Sequence, residues 1–277
     1  MTTRRAFVTG LAVVAASPAL AQPSIRFTVT GALEQGSLAL GSAPPGSLVA
    51  LDGRPLHVTP QGRFTFGFGY DQTSANLVTV RYPDGNGDSR SFKPAPRKYD
   101  EERINGLPQA TVTPDPLETA RINREAEEIF LAHLDDTPGS DFYSGFDWPA
   151  PGILSGIFGS RRINNGVPGT PHYGLDMAAP TGTPIRAPAD GVVRVSADHF
   201  LNGGFTLLDH GQGVTTAYLH QSRRFVRAGD TVRRGQVIGN IGATGRATGP
   251  HLHWAMNWFQ VRLDPSRTTR TPAPPPL

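Results

Sequence analysis

Histidine and aspartate at a few spacings are the residues of this chain best suited to chemistry. In Thr170-Pro171-His172-Tyr173-Gly174-Leu175-Asp176-Met177-Ala178-Ala179-Pro180, an imidazole and a carboxylate stand four residues apart between two prolines. The prolines and the central glycine argue against a stable helix. On an extended strand, positions 172, 174 and 176 share one face, so His172 and Asp176 project together and Gly174 leaves room between them. Nitrogen and oxygen donors placed this way suit zinc. The plainer alternative is a hydrogen-bonded His–Asp pair on a surface strand.

Gly249-Pro250-His251-Leu252-His253-Trp254 is sharper, because two histidines at i and i+2 of a strand point the same way. A third, His220, ends the alternating run Thr215-Thr216-Ala217-Tyr218-Leu219-His220. The candidates are therefore His172, Asp176, His220, His251 and His253, on strands able to line one groove. A structural zinc site takes four protein ligands, whereas a catalytic one keeps three and an open position. Five candidates fit three ligands and two histidines left for acid–base work near neutral pH. Spacing alone leaves open which three.

Composition narrows the setting. The 277 residues include 32 glycines, 26 prolines and no cysteine. Such a chain suits many short strands and turns, and any metal site must be built from histidine and carboxylate. The formal charge is +3, but Arg4 and Arg5 fall in a segment expected to be removed, leaving 24 basic against 23 acidic residues. This balance calls for no nucleic-acid partner.

Residues 1–21 read as an export signal: Arg4 and Arg5, a short apolar run, then Ala19-Leu20-Ala21 before the cut. The run is too short for a permanent membrane anchor. Thr3-Arg4-Arg5-Ala6-Phe7-Val8 also resembles the twin-arginine signal, so ordinary secretion and folded export both fit. Either route places the mature protein in a bacterial periplasm.

The elements that must position the histidines follow. Residues 24–97 alternate in short segments such as Arg63-Phe64-Thr65-Phe66, punctuated by turns such as Asp52-Gly53, and predict a small β-sandwich. Residues 98–145 form a proline-punctuated connector with one helix over about 116–134. Asp115 is placed to cap it, Pro116 suits its first position and Glu118 completes a capping box. Ile122, Ala126, Ile129, Phe130 and Leu134 make its docking stripe, with His133 as a helix-surface residue beside it. Residues 146–267 return to strands dense in glycine, and the tail 268–277 is proline-rich and expected to be disordered. The fold class expected is mainly β: an N-terminal sandwich, a connecting helix and a C-terminal antiparallel domain. His210 is expected to brace the groove wall, His199 to face solvent in a turn, and Trp254, Trp258 and Phe259 to pack in the core.

The C-terminal 120 residues or so resemble the lysostaphin/LytM-type zinc endopeptidases that cut peptidoglycan peptide bridges. The resemblance rests on His172 with Asp176, on His220, and on His251 with His253. It extends to Gly156-Ile157-Phe158-Gly159-Ser160-Arg161, to Ala187-Pro188-Ala189-Asp190-Gly191-Val192-Val193 and to the run Thr244–His253. It implies a compact antiparallel domain with a long open groove and one zinc ion. His172, Asp176 and His253 would hold the zinc, with His220 and His251 as the non-ligand catalytic pair. The implied substrate is the peptide cross-link of peptidoglycan, the D-alanyl–diaminopimelate bond in a periplasmic setting.

Two rival readings draw on the same residues. Some relatives have lost zinc ligands and instead bind and activate cell-wall amidases, but all five positions are present here. Ala228–Gly239 looks like half of a biotinyl or lipoyl carrier hairpin. A carrier needs an acceptor lysine in that domain, and the chain's only lysines are Lys93 and Lys98.

Overall fold

The computed structural model describes residues 25–277; the expected export signal lies outside the described residues. Alternation drives the first part. Strands β1 (Thr28–Thr30), β2 (Leu38–Ser42) and β5 (Arg63–Gly67) form one antiparallel sheet. Strands β3 (Leu48–Leu51), β4 (Arg54–Pro55), β6 (Asn76–Arg81) and β7 (Gly87–Phe92) form another. Phe64, Phe66, Val78 and Val80 are buried in one shared core. Asp52 and Gly53 turn the β3–β4 hairpin with φ of 49° and 83°, conformations in which Asp and Gly are at ease.

The connector is more ordered than its prolines suggested. Strand β8 (Glu101–Ile104) leads to the short helix α1 (Gln109–Val112) and then to α2 (Pro116–Ala132). At the start of α2 the Asp115 carboxylate accepts from Glu118 N at 2.8 Å, and Glu118 Oε2 accepts from Asp115 N at 3.0 Å. Each bond satisfies an amide the helix cannot.

The face that α2 docks differs from the expected stripe. Phe130 and Leu134 are about half exposed, whereas Ile129 and Ala132 pack on a cluster of Val195, Phe205, Leu207, Ala217 and Ala255. Polar contacts complete the seat. Glu128 reaches His199 Nε2 at 3.0 Å, Glu125 accepts from Phe200 N at 2.8 Å, and Gln260 donates to Phe130 O at 3.0 Å. Two histidines depart from expectation. His133 is no surface residue: as the C-cap it is buried, with Nδ1 2.8 Å from Thr215 Oγ1. His199 does not face solvent, because Glu128 and the stacked ring of Phe205 cover it.

The C-terminal part begins with β9 (Ile153–Gly156), β10 (Arg161–Asn164), β11 (Val167–Pro168), β12 (Leu175–Ala178) and β13 (Pro184–Arg186). The long strands β14 (Gly191–His199), β15 (Gly203–Gly211) and β16 (Val214–Gln221) follow. Then come β17 (Arg223–Arg224), β18 (Thr231–Val232), β19 (Val237–Asn240), β20 (His251–Trp258) and β21 (Val261–Leu263). An antiparallel sheet runs β18-β14-β15-β16-β20-β12-β9, with β21 added to β20. A smaller sheet, β13-β19-β17, accompanies it. Leu252, Trp254 and Met256 fill the core on one face of β20, and Trp258 and Phe259 are buried as expected. His210 sits between Asp190 O and Thr216 Oγ1, each 2.7 Å away, a brace rather than a ligand. The proline-rich tail, expected to be disordered, lies along residues 146–152. Gly152 N donates to Pro275 O at 3.1 Å and Trp148 Nε1 to Thr271 O at 2.9 Å. Proline lacks a donor but its carbonyl still accepts.

Burial pushes the pKa of His133 down to about 4. The folded chain keeps this ring neutral while the unfolded chain takes up a proton below about 6.5. The stabilisation is present above that value and is lost as pH falls towards about 4. His133→Gln should therefore flatten the decline of unfolding free energy between pH 6.5 and 4 by up to one proton's worth, about 1.4 kcal/mol per pH unit. Denaturant titrations across that range check it; parallel slopes in the two proteins would contradict it.

Candidate metal centre and peptide groove

Strand pairing assembles the site. In the β12–β20 ladder Asp176 stands opposite His253 and Ala178 opposite His251. Alternation along β20 sends His251 and His253 to the groove and Leu252 and Trp254 to the core. His172 is not on a strand, contrary to expectation. It precedes β12 in a segment tied down by His172 N to Ser160 O at 2.8 Å and Gly159 N to His172 O at 2.7 Å. These bonds hold its ring in line with Asp176.

Gly174 is a matter of clearance, though for a ring. A Cβ there would sit 2.5 Å from His253 Nε2 and 2.7 Å from Trp254 O. Gly156 does the same for the carboxylate, where a Cβ would lie 2.5 Å from Asp176 Oδ2.

Three donor atoms converge. His172 Nε2 lies 3.0 Å from Asp176 Oδ1 and 2.8 Å from His253 Nδ1, which is 2.9 Å from the same oxygen. His172 Nδ1 is 2.9 Å from Ile157 O, so it carries the ring proton and leaves Nε2 with a lone pair. Lone pairs of three buried groups held this close repel unless a cation lies among them. The three residues form a set able to hold a metal ion. Burial alone would push the Asp176 carboxyl up, but the close imidazoles of His172 and His253 outweigh it and hold the group well below the usual carboxylate range.

His220 and His251 stand beside this set. His251 Nε2 is 3.8 Å from Asp176 Oδ1, and the His220 and His251 rings are 4.7 Å apart. Each Nδ1 is 2.8 Å from a carbonyl, of Thr244 and Gly249 respectively, which leaves both Nε2 atoms as bases. Burial first, then the neighbouring His251 and His253, push the His220 pKa down to about 3.

His220 reaches the groove by a device that simple alternation does not predict. Ala217 and Leu219 already face the groove, so a regular strand would send residue 220 to the other side. The ladder takes two steps on β15, Thr206 to Gly204, against three on β16, Tyr218 to Gln221. This bulge, with His220 at φ +63°, turns the ring back.

Two site residues went unread in the sequence. Arg162 Nη2 donates to Asp176 Oδ2 at 2.6 Å, and Glu102 of β8 accepts from Arg162 Nε at 3.2 Å. Strand β8 pairs in parallel with β10, placing Glu102 opposite Arg162. Arg162 directly follows the recognised Gly156–Arg161 run and was within reach; nothing local marks Glu102. The whole forms a groove of about 540 Å³, to which the connector contributes Glu102, Ile104 and Leu107.

Comparison with known proteins bears on this geometry. The family described as Peptidase family M23 matches residues 170–265. A crystal structure of a putative peptidase M23 from Pseudomonas aeruginosa is 31% identical, with a TM-score of 0.66. The alignment covers 85% of this chain and 94% of that one. The chain belongs to peptidase family M23. Among curated relatives, the peptidoglycan DD-endopeptidase ShyC of Vibrio cholerae is 45% identical over 121 residues, 43% of this chain and 28% of that protein. The DD-carboxypeptidase/endopeptidase Mpg of Neisseria meningitidis is 49% identical over 83 residues, 30% of this chain and 19% of that protein. The chain thus spans less than a third of the length of the curated relatives it matches.

Just before the residues matched by the family, Arg162 fixes which oxygen of Asp176 faces the two imidazoles. Second-layer partners of this kind are typically worth 10- to 100-fold in metal affinity. Arg162→Met should weaken metal binding by roughly that factor. Competition against a chelator of known affinity measures it; an unchanged dissociation constant would remove Arg162 from this role.

Proposed function

We propose that this chain is a zinc-dependent endopeptidase that hydrolyses peptide cross-links of peptidoglycan in the periplasm. One observation carries the reading: three converging donors lie beside two histidines whose free nitrogens point into a peptide-sized groove. The names of relatives such as ShyC and Mpg supply the substrate class. All five positions are filled, which weighs against a non-catalytic activator of cell-wall amidases.

His172 Nε2, Asp176 Oδ1 and His253 Nδ1 would hold the zinc. Neutral imidazole and carboxylate without thiolate match the ligand sets of catalytic zinc. When bound, the ion supplies Lewis acidity that polarises the scissile carbonyl and makes water a better nucleophile. The protein's own residues handle the protons. One of His220 and His251 takes a proton from the attacking water at its Nε2, and the other steadies the developing oxyanion or protonates the leaving amine. The depressed pKa of His220 keeps its ring neutral throughout the physiological range. In the periplasmic setting the bond is the D-alanyl–diaminopimelate cross-link.

His220→Ala and His251→Ala should retain zinc and lose at least about 100-fold in turnover, the usual weight of one acid–base group. His253→Ala should lose both zinc and activity. Metal analysis with mass spectrometry of muropeptides released from purified sacculi, with and without chelator, decides the matter. A zinc-free His251 variant would overturn the division of roles, and chelator-resistant cleavage would overturn the metal's part.

A further inference from the structure

The groove continues along β20 beyond the metal-site residues. Ala255 and Asn257 follow His251 and His253 on the same face, and all four line the groove. Asn257 lies four residues past His253, roughly 13 Å along the strand. Arg262 of β21 stands opposite it and donates from Nη1 to Asn257 Oδ1 at 3.3 Å. The guanidinium lies 5.7 Å from the ring centre of Tyr173.

The charge of Arg262 is uncompensated. Arg162, Arg194, Arg224 and Arg234 each bond a carboxylate at 2.6–2.7 Å. Among the described residues, Arg262 has only the amide oxygen of Asn257. Surrounding protein pushes its pKa down. His133, which also lines the groove, uses Nδ1 on Thr215, while its buried Nε2 has no hydrogen-bond partner. After burial, the nearby charge of Arg262 is the second cause that depresses the His133 pKa, so the two groups feel each other. The unsatisfied buried nitrogen of His133 is costly, whereas Arg262 is exposed and keeps its guanidinium open to a ligand. An anion in this part of the groove would pair with Arg262, and His133, with its ring proton on Nε2, would donate to it; the planar guanidinium fork suits a carboxylate.

We propose that Arg262 and His133, flanked by Asn257 and Tyr173, form a subsite that accepts a free carboxylate of the peptide substrate. The inference rests on the reading of this groove as a peptide-cleavage site. The subsite gives that site a preference: peptides carrying a free carboxylate roughly 13 Å from the metal centre, the length of about four extended residues, are favoured over their amidated forms.

The test uses the full-length zinc-loaded protein and soluble cross-linked stem-peptide dimers in which one carboxylate at a time is a carboxamide. Dissociation constants are measured on the His220→Ala protein, and KM and kcat on the protein with His220 intact. Amidation at one position should weaken binding and raise KM by roughly tenfold with little change in kcat, as for loss of one charge-assisted hydrogen bond. In Arg262→Gln that difference should vanish, Arg262→Lys should restore part of it, and His133→Gln should reduce it. Zinc content and melting temperature of each variant show that the fold is kept. Cleavage that ignores amidation at every position, or equal discrimination by Arg262→Gln, overturns the subsite and leaves the peptidase reading standing. Discrimination in binding without cleavage by the intact protein keeps the subsite and overturns the peptidase reading. Neither binding nor cleavage overturns both.

Discussion

The site depends on the register of β12 against β20. Asp176 and His253 face each other across that ladder, and because side chains alternate, a slip of one residue would send the carboxylate into the core and Met177 into the groove. The core opposes the slip: Leu175, Met177, Leu252 and Trp254 are buried on the reverse face. The chemistry of one face is therefore held in place by the packing of the other.

From that register the remaining pieces are recruited by different means. His172 is tied to residues 159 and 160 by backbone hydrogen bonds. His220 is delivered by a bulge in β16. Arg162 divides the two oxygens of Asp176 between the imidazoles and itself, and β8 supports it through Glu102. The first β region reaches the same structure through an aromatic cluster in which Tyr70 stacks on Tyr99 and meets Phe158 and Tyr173 edge-on. A mostly buried ion pair, Arg97 with Asp264 at 2.9 Å, links the two regions. A change in the first β region can thus be felt at Tyr173, next to His172.

Much of this was legible in the chain. Strand alternation marked His251 and His253, and the spacing of His172 and Asp176 was suggestive once the others joined them. The capping box of α2 was readable because it is local. What escaped was set by contacts distant in sequence. The face on which α2 docks is decided by the Asp198–Phe200 turn and by Gln260, which draw in Ile129, Ala132 and His133 and leave Phe130 outside. The burial of His133 and His199 follows from that docking. The bulge at His220 has no signature of its own, since Leu219-His220 reads as ordinary strand and only the ladder to β15 shows the extra residue.

The pairing of Phe146 with the segment after β21 has a consequence for how this unit is used. Phe146 N donates to Thr268 O at 3.0 Å and Arg270 N returns a bond to Phe146 O at 2.9 Å, so the C-terminal region starts and finishes at one place. A unit whose two ends meet can be joined to different neighbours without disturbing its interior. Curated relatives that align with this chain over less than a third of their own length fit such portability.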